Sequence, residues 1–368
     1  MSVVLITGVS RYLGGRLAAH LAADPAVERV IGIDITPPRS SNLPLLGRTE
    51  FVRADIRNPL VAKVITQARV STVVHAALMA SPRTVGGRLP MQEMNVIGTM
   101  QLLAACQKSD TVRRVVLKST AAVYGCGPAD PAVFTEDMHP AKGARTGYAR
   151  DAVEVEGYVR GFGRRRPDID ISVLRLANII GGGVDSALTR YLSMPFVPTP
   201  LGFDPRLQLL HEADAVETLR LATMSSRPGT FNVAGDGVLP LSQIIRRAGG
   251  IRVPVASAAM GLVGGFVRNS GVLEVTAEDA RYLTYGRALD TTLLRRDFGY
   301  EPAYTTAAAV EAFLPGARSA ARFALAGVGV ASRLLSARAT AERELASVKR
   351  MIDGSAVKRM INGSAVSK

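Results

Sequence analysis

The stretch Val3–Ala22, VVLITGVSRYLGGRLAAHLA, decides the fold. A β-branched run closes on Gly8, Gly14 and Gly15 open a helical pattern that runs through Ala23, and the next β-branched run, RVIGID, ends on Asp34, 20 residues after Gly14. Strand, glycine turn, helix and acid in that register are a dinucleotide-binding fingerprint. Glycines let the chain turn tightly and let backbone N–H groups approach a pyrophosphate at a helix N-terminus, while an acid about 20 residues on accepts from the ribose hydroxyls. Gly8, Gly14 and Asp34 are therefore expected to hold the cofactor. Asp34 would repel a ribose 2′-phosphate, which favours NAD over NADP; Arg11 and Arg39 carry the opposite preference, and Arg39 reads as a solvated loop residue after Pro37 and Pro38.

Outward from this unit, EFVRAD, STVVHAA, RRVVLKS and DISVLRL alternate with helical patterns such as Met91–Gln107. These strand runs are apolar on consecutive residues, so both faces of the sheet should be covered. The expected fold is α/β, a doubly wound parallel (Rossmann) sheet. Past Leu176 strands become sparse and Pro and Gly punctuate PFVPTPLGFDP and FNVAGDG, which suggests a smaller C-terminal lobe. The expected organisation is a dinucleotide-binding core over 1–175, a substrate-binding lobe interleaved with it over 176–314, and a basic helical extension over 315–368.

Composition narrows the function. The formal charge is +14, but +7 of it falls in the last 54 residues, and the body carries no zinc-finger, RNP or helix-turn-helix signature. Nucleic acid is discounted as the partner. Two cysteines, Cys106 and Cys126, exclude a disulfide scaffold and thiolate zinc sites and fit a reducing, cytoplasmic setting. His211 in HEAD lacks the second histidine of HExxH, and His20, His75 and His139 make no metal spacing. The start of the chain has no basic leader, and the uncharged run Val253–Val267 is shorter than the roughly 18 residues a membrane span needs. In the tail, Arg318, Arg322, Arg333, Arg338 and Arg343 flank apolar stretches. That pattern suits either a basic helix lying on an anionic membrane or a helix packed on the body with solvated arginines. VKRMIDGSA, followed at once by VKRMINGSA, is too short a repeat for a solenoid.

The chain resembles the extended short-chain dehydrogenase/reductases, specifically the NAD-dependent epimerase/dehydratase group, from residue 1 to about 314. Its glycine motif TGxxGxxG appears as TGVSRYLG, with Thr7, Gly8 and Gly14 in place and Arg11 where the middle glycine belongs. RADI places Asp55, followed by Ile56, where the family contacts adenine. VVHAA brings His75 and Ala76, and NVIGT brings Asn95, to motifs that lie along the cofactor in the family. LRLANIIG, with Asn178, resembles LRxxNxxG. RLQLLHEADA resembles the family's stretch around VDD that follows its substrate-binding strand, which implies that Arg206 or His211 meets a diphosphate; an exposed arginine and a packed histidine are the alternatives.

For catalysis, the resemblance assigns Thr120, before VYG, to the reacting oxygen and Tyr148 to its proton. The family follows that tyrosine with lysine four residues on and glutamate four beyond; here YARDAVEVE keeps Glu156 but has Ala152 in the lysine position. Lowering a phenol pKa from about 10 to about 7 takes roughly 4 kcal/mol of phenolate stabilisation, much of which the lysine would supply. Arg150, two residues from Tyr148, points the wrong way on a helix. Lys118 shares strand parity with Thr120 and is the candidate replacement, unless it is an ordinary solvated strand-end lysine.

The resemblance implies an NAD-dependent oxidoreductase or isomerase acting on a nucleotide-sugar or similar hydroxylated substrate by transient hydride transfer, with a homodimer left open. Two other readings stand beside it. One is a catalytically silent NAD-binding sensor or scaffold whose tail recruits partners or membrane; the other is a reductase of apolar alcohols or ketones.

Overall fold

The computed structural model describes residues 2–38, 46–80, 87–138, 147–256 and 276–313. The tail over 315–368 with its repeat, Arg39, His139 and most of Val253–Val267 lie outside the described residues.

Seven strands make one sheet in which every neighbouring pair is parallel. Strand β1 (Ser2–Thr7) sits between β2 (Val27–Asp34), which leads out to β3 (Glu50–Arg53), and β4 (Thr72–His75), which leads through β5 (Arg114–Thr120) and β6 (Asp170–Leu176). The far edge is Gly229–Val233, contributed from well beyond β6. Strand order reverses between β1 and β4, and a crevice at such a reversal, at the carboxyl ends of the strands, is where open α/β sheets take ligands.

Alternation along β1 shows why the apolar runs are continuous. Val4 and Ile6 join a core with Leu17, Ala18 and Leu21 of α1 (Tyr12–Ala23) and with Ala215, Leu219 and Ala222 of the helix Glu212–Met224. Val3 and Leu5 point the other way, to Val61 and Ile65 of α2 (Leu60–Gln67), Leu102 and Cys106, and Val155, Val159 and Phe162. Each face is thus capped by helices, and each large apolar side chain removed from water contributes about 1.5–3 kcal/mol.

The expected helix over Met91–Gln107 is broken. A short α3 (Arg88–Gln92) passes through a π-helical turn, Glu93–Ile97, before α4 (Gly98–Lys108). The side chain of Thr99 donates to the Asn95 carbonyl at 2.5 Å, so a side chain competes for the backbone acceptor where the ladder widens. Helix α5 (Gly147–Arg165) follows and carries Tyr148 at its start. Among the described residues the lobe holds three small two-stranded sheets, one of them Asn178–Ile180 with Leu209–His211, around its own apolar cluster.

Candidate active site

The glycine loop is shaped as its residues require. Gly8 has φ +78, a region open to glycine. A Cβ on Gly14 would fall within contact-forbidden distance, 2.2 Å, of the Gly8 carbonyl oxygen. Arg11, where a glycine was expected, is the residue before α1 with φ −92 and ψ 160, an extended conformation any residue adopts, and no side chain caps that helix start. The first-turn N–H groups of α1 are left for an anion. The carboxylate of Asp34 accepts from the N–H of Ser10 at 3.2 Å and of Ile35 at 2.8 Å, which binds the end of β2 to the loop. This half of the site fits an adenosine diphosphate group.

Behind the loop the expected contacts serve as frame. The ring nitrogens of His75 meet the hydroxyls of Thr7 at 2.7 Å and Thr99 at 2.8 Å, and burial, with Lys118 adding to it, pushes its pKa down to about 4, leaving it neutral. Asn95 accepts from the Met79 N–H and donates to the Met79 carbonyl and to Asp151. Ala76 and Ile56 are buried. The Asp55 carboxylate is gripped by Arg57, which holds it below the usual range against the effect of burial.

At the other end, Thr120 closes β5 and its hydroxyl lies in hydrogen-bonding reach of the Tyr148 phenol. Burial and then the carboxylate of Glu278 push the Tyr148 pKa well above its ordinary value, with Asp151 adding and the Thr120 bond opposing. Ala152, on the same face of α5 one turn on, is fully buried in the core. Asp151, also fully buried, takes both a bidentate grip from Arg88, at 2.5 and 2.7 Å, and the Asn95 amide. Glu156 lies under the site, accepting from Ser119 at 2.5 Å and paired with Arg175 at 2.8 Å; Arg175 also donates to Tyr124. Lys118 and Thr120 share the more open face of β5. The Lys118 ammonium faces the Leu78 carbonyl at 3.4 Å, and burial followed by the Arg11 charge lowers its pKa to about 8. Its charge acts on His75, whereas the charges acting most on Tyr148 are the carboxylates of Glu278 and Asp151.

Next to Thr120 a small cavity is lined by Ala121, Asn178, Gln208, Tyr282 and Arg287. The Tyr282 hydroxyl is buried there without a hydrogen bond of good geometry, although the Asn178 side chain is close enough to act on it. Arg287, 7% exposed, donates to the Gly125 carbonyl at 3.0 Å, lies over the Tyr282 ring, and forms no ion pair among the described residues. Arg206 is exposed on its strand. His211 is buried, stacked on Tyr304, and its Nδ1 accepts the Ala213 N–H at 3.2 Å, capping the helix that begins at Glu212. Arg287, Tyr282 and Glu278 were not anticipated from the sequence, since none belongs to a local motif. Among the described residues no group of His, Cys, Asp and Glu could hold a metal ion.

Known proteins resemble this chain in sequence and in fold. An uncharacterized protein of Mycobacterium tuberculosis (strain H37Rv) is 50% identical over 314 residues, 85% of this chain and 84% of that protein. The UDP-glucose 4-epimerase of Mycolicibacterium smegmatis is 30% identical over 182 residues, 48% of this chain and 56% of its own. The fold matches a UDP-glucose-4-epimerase from Stenotrophomonas maltophila, solved with bound NAD and formylated UDP-arabinopyranose, with a TM-score of 0.68 at 21% identity over 88% of this chain and 99% of that one. The model of the NAD dependent epimerase/dehydratase family matches residues 4–234, a span that holds the glycine loop, Asp34, Thr120 and Tyr148 together, and the chain belongs to that family.

Proposed function

We propose that the chain is an NAD-dependent oxidoreductase of the epimerase/dehydratase type, acting on a nucleotide-sugar or similar hydroxylated substrate by transient hydride transfer at a carbinol carbon. The observation that carries this reading is the buried guanidinium of Arg287. A desolvated cation without a carboxylate partner is costly unless an anion completes it, and Arg287 lies on the cavity beside Thr120. A diphosphate at Arg287, with Asn178 beside it, would lead a sugar toward Thr120 and Tyr148. His211 is held by its stack on Tyr304 and its cap on Ala213, and Arg206 is exposed, so neither carries that argument alone.

The cofactor's nicotinamide, when bound, supplies the hydride acceptor. The first-turn N–H groups of α1 hold the pyrophosphate and Asp34 takes the adenosine ribose. Thr120 hydrogen-bonds the reacting oxygen, and Tyr148 exchanges its proton. Lys118, beside Arg11, adds positive charge to the cofactor side of the cleft.

Purified protein incubated with UDP-glucose or UDP-galactose should interconvert them or convert one to a keto product, read by chromatography of the nucleotide-sugars. Arg287→Met should raise KM at least about tenfold, the scale of one lost charge-assisted hydrogen bond. The buried Ala152 in place of a lysine favours a second reading, an NAD-bound sensor or scaffold without turnover. Retention of NAD and nucleotide-sugar binding with no redox change under any of these conditions would select it.

A further inference from the structure

The face of α5 that carries Tyr148 also carries the positions three and four residues on, Asp151 and Ala152. Ala152 is fully buried and offers only packing where a lysine would have bridged. Asp151 is also fully buried, and it draws a cation from another helix. Arg88, at the start of α3, places Nη2 2.5 Å from one Asp151 oxygen and Nη1 2.7 Å from the other. The same Nη2 donates to the Gly147 carbonyl at 2.8 Å. One guanidinium therefore spans the residue before Tyr148 and the residue nearly one turn after it.

This end of α5 needs an outside hold. The first N–H groups of a helix have no partner within it, and Gly147 stands at φ +63, outside helical geometry. Asp151 passes the grip inward. Its Oδ2 accepts from the Asn95 amide at 3.0 Å, and that amide is itself locked to the Met79 N–H at 2.8 Å and the Met79 carbonyl at 3.0 Å, beyond the end of β4. On the lobe side, the Glu278 carboxylate accepts the Ala149 N–H at 3.2 Å. A buried carboxylate is tolerated only while it is paired and hydrogen-bonded, and the planar fork of Arg88 satisfies both of its oxygens and a carbonyl together. An ammonium is a point charge and cannot reproduce that fork.

We propose that Arg88 is a positioning residue for Tyr148: its grip on Asp151 and on the Gly147 carbonyl fixes the first turn of α5 with the phenol directed at Thr120, a task that Ala152 leaves undone. The proposal rests on the function proposed above. Arg88 acts only through the turn it holds. Misplacing a proton-exchanging group by about 1 Å costs on the order of 10²-fold in rate, so the clamp matters more to turnover than to binding.

The test compares Arg88→Lys with the pair Arg88→Met/Asp151→Ala, which removes both charges together and leaves no unpaired buried carboxylate. Amide exchange of residues 149–152 should quicken at least about tenfold in the double variant, the scale of one lost charge-assisted hydrogen bond, while NAD affinity holds. With UDP-glucose, kcat should fall about 10²-fold with KM little changed, and Arg88→Lys should recover part of kcat. Without substrate, the phenolate absorption of Arg88→Lys, taken as the difference from the same variant carrying Tyr148→Phe, should appear at lower pH than in the wild type. Burial is what raises the Tyr148 pKa, and a loosened turn admits water. Full kcat in the double variant overturns the proposal, and so does a joint loss of kcat, KM and NAD affinity, which marks a general structural role. Should the double variant not fold, the same readings on Arg88→Lys decide. If the wild type turns over no nucleotide-sugar, the proposed function fails and the exchange and titration judge the clamp alone: with both shifted it stands, with either unshifted it falls.

Discussion

The two ends of the cleft obey different rules. At the glycine loop, backbone geometry decides: Gly8 needs its positive φ and Gly14 its missing Cβ, whereas Arg11 is tolerated because its position is extended. At Tyr148, side-chain electrostatics decide: Ala152 has removed a cation, and Glu278 has brought in an anion. The lesson is that the shape of the loop rests on steric constraints that a single Cβ would break, whereas the surroundings of Tyr148 are set by charges that arrive from another element of the fold.

Several substitutions would break or sharpen that contrast. The largest effect is expected from Arg175→Met under the catalytic end, which strands Glu156 as an unpaired buried carboxylate. Chemical denaturation should show a loss of about 3–5 kcal/mol. A smaller loss would mean that electrostatics at this end are less tightly built than the hydrogen bonds imply. Next, Gly14→Ala should weaken NAD binding about 100-fold by calorimetry, because strain of roughly 1–3 kcal/mol must be absorbed where the pyrophosphate sits. Near-normal affinity would remove the steric rule. Asp34→Ala should cost about tenfold in NAD affinity and narrow the preference over NADP, as a charged acceptor is lost. Tighter NADP than NAD binding in the wild type would transfer the preference to Arg11. The smallest effect is expected for Lys118→Met on Tyr148. Losing that positive charge raises the His75 pKa from about 4, yet His75 stays neutral at pH 7, and the Tyr148 titration should not move. A move of the Tyr148 ionisation to higher pH would instead make Lys118 the substitute for the absent lysine.

Much of the cofactor half was legible because its signals are local. Gly8, Gly14 and Asp34 stand in one βαβ unit, and consecutive apolar residues in β1 announce a sheet covered on both sides. The catalytic half was legible only in part. Thr120 and Tyr148 followed from short motifs, and the missing lysine was visible, but Glu278 lies 130 residues after Tyr148 with no pattern around it. Its position beside α5 depends on where a lobe helix is docked, and only tertiary structure supplies that. Arg287 was hidden for the same reason. The π-helical turn at Glu93–Ile97 was missed because the apolar period of Met91–Gln107 does not change where Thr99 competes for the Asn95 carbonyl.

The edge strand Gly229–Val233 has a consequence for how the molecule is made. Until that segment leaves the ribosome, β6 presents a bare row of backbone donors and acceptors along one side. Roughly 50 residues of lobe must be synthesised between the two, so the nascent chain spends several seconds, at about 5–20 residues per second, with an adhesive flank. Chains ended near residue 176 would freeze that stage. They should self-associate, while those carried past residue 233 should not.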